Sequence, residues 1–175
     1  MEQKIFTNHQ VDLSTLPSAD ELYFTALEKS YKRLLHITSV IVTTIVLIGL
    51  VILFWQADVP TWITVLSCGF WVFIGLLRLV YITEAFVHKG YAVRTHDLVY
   101  KTGWLYKKQV TVPFNRIQHV DIKQGVLERK FKLSKLNLYT AGGASSDLTI
   151  PGISLEDAKR YKSFILGVMA TDEEE

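Results

Sequence analysis

Between Leu34 and Ile82 the chain carries only two formal charges, Asp58 and Arg78. No other feature restricts the fold so sharply. The first stretch, Leu34 to Trp55, reads LLHITSVIVTTIVLIGLVILFW and is uncharged. At a helical rise of 1.5 Å per residue, about 20 such residues cross a hydrocarbon layer of about 30 Å. The second stretch, Val59 to Thr83, reads VPTWITVLSCGFWVFIGLLRLVYIT. Pro60 suits a first helical turn, where its missing N–H costs nothing. Trp55 and Trp62 flank the short connection Gln56-Ala57-Asp58, as residues of an interfacial belt do. The expected membrane segment is therefore 34–83, with spans at 34–55 and 60–82. Two runs this long in a chain of 175 residues argue against a buried hairpin in a soluble fold. The late start and length of the first run argue against a cleaved signal peptide.

The flanks set an expected orientation. Lys29, Lys32 and Arg33 precede the first span, and Arg78, Lys89 and Arg94 lie at or after the second. The connection carries no Lys or Arg. The positive-inside rule then puts both termini, and everything after the second span, on the cytoplasmic side of the cell membrane. Arg78 falls about a turn from the end of its span, where its stem can snorkel to the headgroups. His36 sits at the matching end of the other span. Ser39, Thr43, Thr44, Ser67 and Gly69 are expected to pack the hairpin. The lone Cys68 supports neither an internal disulfide nor a cysteine-rich metal site.

Before the first span, in the segment 1–33, Ser18 and Glu21 fit a capping box. Leu22, Tyr23, Ala26, Leu27, Tyr31 and Leu34 follow at helical spacing, which predicts a juxtamembrane helix from about Ala19. Its aromatic residues would lie in the interface or pack on the soluble domain. Residues 4–13 read either as an added strand or as unstructured chain.

From Ala85 the pattern changes to short β-runs broken by turn residues. AFVHKGYAVRT and LVYKTGWLY meet at a hairpin turn, His96-Asp97. KQVTVPF alternates and ends at a proline; IQHVDIKQ alternates imperfectly; GVLERKFKL reads as a short helix; KLNLYTAGG and SDLTIPG read as the last strands. Ser154 and Asp157 open a C-terminal helix whose apolar stripe is Leu155, Ala158, Tyr161, Ile165 and Val168. About six or seven antiparallel strands followed by one amphipathic helix make an α+β domain over 84–168, a strongly bent sheet with the helix over an open end. The acidic tail is 169–175.

The segment from about Ala85 to Leu166 resembles the bacterial pleckstrin-homology-like (PH-like) domain of YdbS-like membrane proteins. GYAVRTHDLVYKTGWL, VPFNRIQHVDIKQGVLERKFKLSKLNLYTAGG and IPGISLEDAKRYKSFIL carry the resemblance. Two spans followed by one such domain match that family too, over nearly the whole chain after Leu13. The resemblance implies a seven-stranded bent sheet capped by the C-terminal helix and no established enzymatic activity. It also implies partners: a larger membrane protein with several copies of the domain, or further copies of this chain. Within the motif, Gly125 is expected to turn the chain. Val126, Leu127 and Phe131 would pin a short helix, and Leu133, Leu136 and Leu138 would fill the core. Gly142 and Gly143 would make a tight turn.

A search for chemistry finds little. The five histidines, His9, His36, His88, His96 and His119, are dispersed, and no HExxH, GxSxG or P-loop occurs. TAGGASSD is accounted for as a hairpin turn, and His119 beside Asp121 reads as a surface pair. No catalytic residue, metal or cofactor is expected. Residues 84–166 carry about fourteen Lys/Arg against about seven Asp/Glu. Behind a membrane anchor this charge favours anionic headgroups over nucleic acid. The first β-hairpin offers Lys89, Arg94 and Lys101, too loosely spaced for specific inositide binding. The candidate membrane or headgroup contacts are Arg78, the pair Lys107 and Lys108, and the cluster Arg129, Lys130, Lys132 and Lys135. The expected function is a non-catalytic integral membrane protein that presents a cytosolic docking or assembly module, in envelope stress or transport support. The alternative is a lipid-binding or lipid-handling protein that uses the basic clusters and the domain–membrane junction.

Overall fold

The structure, a computed structural model, describes residues 22–140 and 148–172. Two helices, α1 (Lys29–Gln56) and α2 (Thr61–Val87), form an antiparallel hairpin. At 28 and 27 residues they are about 42 and 40 Å long. Each therefore outruns a hydrocarbon layer of about 30 Å by some 10 Å. Only 6% of the apolar window of α1 is buried, and none of that of α2. These are not core helices of a soluble fold, because their apolar side chains face outward. At the connection the chain turns through Asp58 at a positive φ of 49°.

Small residues hold the two helices together. A Cβ at Gly75 would lie 2.9 Å from the Thr43 methyl, so the helices touch there. Ser39 is buried between them, and its hydroxyl has no hydrogen-bond partner among the described residues. Such a hydroxyl contributes desolvation without a bond. Ser39→Ala is expected to leave hairpin stability unchanged or raise it by up to about 1 kcal/mol. Thermal unfolding of the two proteins in the same detergent checks this; a large loss would show that the hydroxyl has a partner.

The ends of the helices that protrude past the apolar layer enter the β-domain. The chain does not form a helix from Ala19, as its spacing predicts. Thr25–Ala26 is a short strand, β1, paired with β2 (Gly90–Val93), and α1 starts only at Lys29. Pairing on the edge of β2 satisfies the backbone there, and it drops Leu27 into the core at 4% exposure. Ser18, Glu21 and residues 4–13 lie outside the described residues. Ala85–Val87, read above as the start of a strand, is the last turn of α2. A short apolar run fits either period, and here the helix simply continues until Lys89 N–H bonds the Phe86 carbonyl at 3.1 Å.

The remaining elements are β3 (Asp97–Thr102), β4 (Lys108–Pro113), a 3-10 turn (Phe114–Arg116), β5 (Ile117–Lys123), α3 (Val126–Lys130), β6 (Leu133–Thr140), β7 (Leu148–Ser154) and α4 (Leu155–Asp172). They make two antiparallel sheets, β1-β2-β3-β4 and β5-β6-β7. The bend between the sheets is the 3-10 turn. Pro113 precedes it, and Phe114, 1% exposed, donates its N–H to the His96 carbonyl at 2.8 Å. The imperfect alternation of IQHVDIKQ is a register shift between Ile117 and His119. It keeps Ile117 and Val120 both in the core. Leu133, Leu136 and Leu138 fill that core as expected.

The C-terminal helix is capped as its sequence predicts. Asp157 N–H donates to Ser154 Oγ at 3.0 Å, and the Ser154 hydroxyl donates to the Asp157 carboxylate at 2.8 Å. Ala158 and Ile165 are fully buried against the sheets. Two motif expectations need correction. Val126 is 83% exposed; only Leu127 and Phe131 pack α3 on the core. Gly125 has an ordinary extended backbone; its missing Cβ makes room for the Glu128 carboxylate, which would lie 2.3 Å away. Gly142 and Gly143 lie outside the described residues.

Candidate functional site

The overhanging ends of α1 and α2 carry the β-domain without a linker. Glu28 N–H bonds the Gly152 carbonyl of β7 at 3.0 Å. Tyr31 and Leu34, the first two turns of α1, are buried in the same core as Leu27. On the hairpin side, His36 donates Nδ1–H to the Lys32 carbonyl at 2.8 Å, and its Nε2 lies 3.1 Å from the Thr83 hydroxyl of α2. His36 is thus a cross-helix tie. Arg78 lies exposed on α2, about 26 Å along the axis from Thr61. That distance is a little less than the thickness of a hydrocarbon layer, about 30 Å.

The hairpin cations do not gather. Lys89 sits 5.8 Å from the Tyr31 ring centroid, and burial pushes its ammonium below its ordinary pKa. Arg94 pairs with Asp97 at the opposite end of the hairpin. Lys101 lies 4.1 Å over the Phe24 ring. Lys101 does join the predicted pair: with Lys107, Lys108, His88 and Val87 it lines a groove of about 320 Å³ beside the end of α2.

The second predicted cluster divides. Arg129 and Lys132 line another groove, of about 400 Å³, with Gln124, Ser154, Glu156 and Lys159. Lys132 adopts a positive φ of 56° where α3 gives way to β6. Lys130 is exposed on α3 and outside that groove. Lys135 is neutralised by Glu128 at 2.9 Å, across from α3 to β6. That hydrogen bond from Lys135, helped by backbone N–H groups, holds the Glu128 carboxyl below its ordinary pKa. A depressed carboxylate contributes stability above its unfolded pKa and loses it as pH falls through the folded one. The wild-type protein is therefore expected to exceed Glu128→Gln in stability at neutral pH. The gap should close as pH falls below about 4.3. Urea unfolding of both proteins across that range checks the sign.

One group of residues was missed in the sequence. The β3–β4 loop reads Gly103-Trp104-Leu105-Tyr106 and continues into Lys107. Trp104 packs on Tyr81 of α2, ring centroids 6.1 Å apart. Leu105 and Tyr106 are 78% and 85% exposed. Aromatic residues followed by a lysine pair were the available signal. Of the surface pair His119 and Asp121, His119 stacks on Tyr139 at 4.1 Å and Asp121 lies 4.0 Å from Lys123, whose ammonium donates to the Tyr139 hydroxyl at 3.0 Å. Among the described residues no three His, Cys, Asp or Glu side chains come together as a metal site.

A family match and a curated relative agree with this architecture. Residues 16–169 match the family described as Bacterial PH domain. The match begins before α1 and ends within α4, so it takes in the helical hairpin and both sheets. The chain is 30% identical over 135 residues to the UPF0699 transmembrane protein YdbS of Bacillus subtilis (strain 168), covering 76% of this chain and 82% of that protein. Among solved structures it is similar to a DUF1696 family protein with a pleckstrin-homology domain from Shewanella loihica PV-4. That likeness has a TM-score of 0.38 and 12% identity, over 48% of this chain and 73% of the other. The resemblance read from the motifs is borne out: this chain is a membrane protein that belongs to the bacterial PH domain family.

Proposed function

We propose that the protein is a non-catalytic two-span anchor whose PH domain serves as a docking or assembly module on the cytoplasmic face. The seating of α1 in the domain core is the observation that carries this reading. Leu27, Tyr31 and Leu34 are 4%, 8% and 6% exposed, and Glu28 bonds β7 directly. A domain held this way keeps one orientation to the bilayer, which a lateral partner in the same membrane needs and a freely tethered domain lacks. The Glu28–Gly152 bond also supports placing the start of α1 and the β-domain on one side of the membrane. The Lys/Arg flanks support the cytoplasmic side. Strand β4 is the outer strand of its sheet, paired among the described strands only with β3. Its Lys108, Gln109 and Thr111 are exposed, a suitable edge for an added strand from a partner. The partner is another membrane protein carrying PH-like domains, or a second copy of this chain.

The test is the mass of the intact assembly, purified in native-lipid discs. A reproducible complex with itself or another membrane protein is the expected result. A monomer that retains one defined lipid would overturn the docking reading in favour of lipid handling.

A further inference from the structure

We infer that the β3–β4 loop is a third membrane anchor: Trp104, Leu105 and Tyr106 enter the interface, while Lys107 and Lys108 rest on anionic lipid headgroups. This goes beyond the docking reading and holds whether or not the domain has a protein partner.

Continuity with the spans comes first. Tyr81 lies about 30 Å along α2 from Thr61, at the far border of a hydrocarbon layer that starts near the helix connection. Trp104 touches Tyr81, so the loop reaches the depth where aromatic residues collect. The second observation is what the loop offers to its surroundings. Leu105 and Tyr106 are 78% and 85% exposed, with no surface covering them among the described residues. An apolar tip of this kind, beside a span, has the bilayer as its nearest apolar phase.

The loop is built to present that tip. Gly103 adopts a φ of 103°, and a Cβ there would fall 1.8 Å from the Tyr106 carbonyl oxygen. The chain therefore closes tightly on itself, and only glycine permits it. Charge complementarity is the third observation. Lys107 and Lys108 follow the tip directly, and with Lys101 and His88 they line the groove beside the end of α2. His88 donates Nδ1–H to the Glu84 carbonyl at 2.9 Å, which fixes its ring on that wall. Basic residues at that height are drawn to phosphatidylglycerol-type headgroups.

The experiment uses the full chain with Cys68→Ala, reconstituted in phosphatidylcholine vesicles with and without phosphatidylglycerol. Leu105→Cys and, separately, Thr95→Cys carry an NBD fluorophore. Thr95 lies at the other end of β3, about 20 Å from the loop tip. The label at 105 is expected to show blue-shifted emission and quenching by shallow doxyl lipids, and the label at 95 neither. Water-like emission at 105, matching 95, would overturn the anchor. Lys107→Gln with Lys108→Gln should lower the inserted-to-withdrawn ratio at 105 by about 30-fold at low salt, only in vesicles with phosphatidylglycerol. Equal quenching in both lipids and both proteins would overturn the headgroup contact.

Discussion

Gly152→Ala is expected to cost about 3 kcal/mol and to loosen the first span from the β-domain. Gly152 has a φ of 69°, where an L-residue pays roughly 1–2 kcal/mol. Its new Cβ would also fall 2.3 Å from Tyr31 Cγ and 2.7 Å from Tyr31 Cβ. The second distance matters more. A ring can swing away, but Cβ moves only with the helix backbone. Overpacking of that kind costs a further 1–3 kcal/mol or so. Hydrogen exchange on the full chain in detergent should show lost protection at residues 25–31 and in β7, with little change within the spans. Tyr31→Ala with Gly152→Ala should cost somewhat less than the two single changes added together, because the ring overlap is then absent while the overlap with Cβ at position 31 remains. Wild-type protection in Gly152→Ala would mean that the junction is not seated as described.

Phe114→Ala is expected to cost about 4 kcal/mol. Phe114 is 1% exposed and sits where one sheet turns into the other. Its ring meets Phe164 of α4 edge-on at 6.1 Å. One side chain thus joins both sheets and the closing helix. Against a typical domain stability of about 5–15 kcal/mol this is a large fraction, enough to populate unfolded domain on an intact anchor. Phe164→Ala should cost far less, because that ring is 43% exposed. A double-mutant cycle should return a coupling of about 0.5–1.5 kcal/mol for the aromatic contact. Chemical denaturation followed by near-UV circular dichroism reads all four proteins. A Phe114→Ala loss no larger than that of Phe164→Ala would contradict the placement.

Much of this architecture was legible in the chain. The spans follow from charge exclusion, and the C-terminal helix from a stripe and a cap whose partners are three residues apart. These are local signals. What was not legible is non-local. Leu27, Tyr31 and Leu34 show helical spacing, but nothing local says that they complete a sheet formed by residues 90–153. Ala85–Val87 fits a strand or a helix until the preceding span is seen to continue through it. Among the candidate contacts, the sequence counts Lys135 with Arg129, Lys130 and Lys132, because it cannot place Glu128 opposite. It likewise lists Lys107 and Lys108 but not Trp104 to Tyr106, because only the fold brings that loop against Tyr81.

The bond between Glu28 and Gly152 has a consequence for how the protein is made. The start of α1 leaves the ribosome early, and β7 leaves near the end, after the hairpin has emerged. If both helices span the membrane as proposed, the β-domain closes only once both are in place with their outer ends on one side. A chain that left a span behind would hold Tyr31 and Gly152 on opposite faces of the bilayer. Its sheet would stay open, and an open apolar core is what cellular proteases remove. On that topology, completing the domain would act as a proofreading step on membrane insertion.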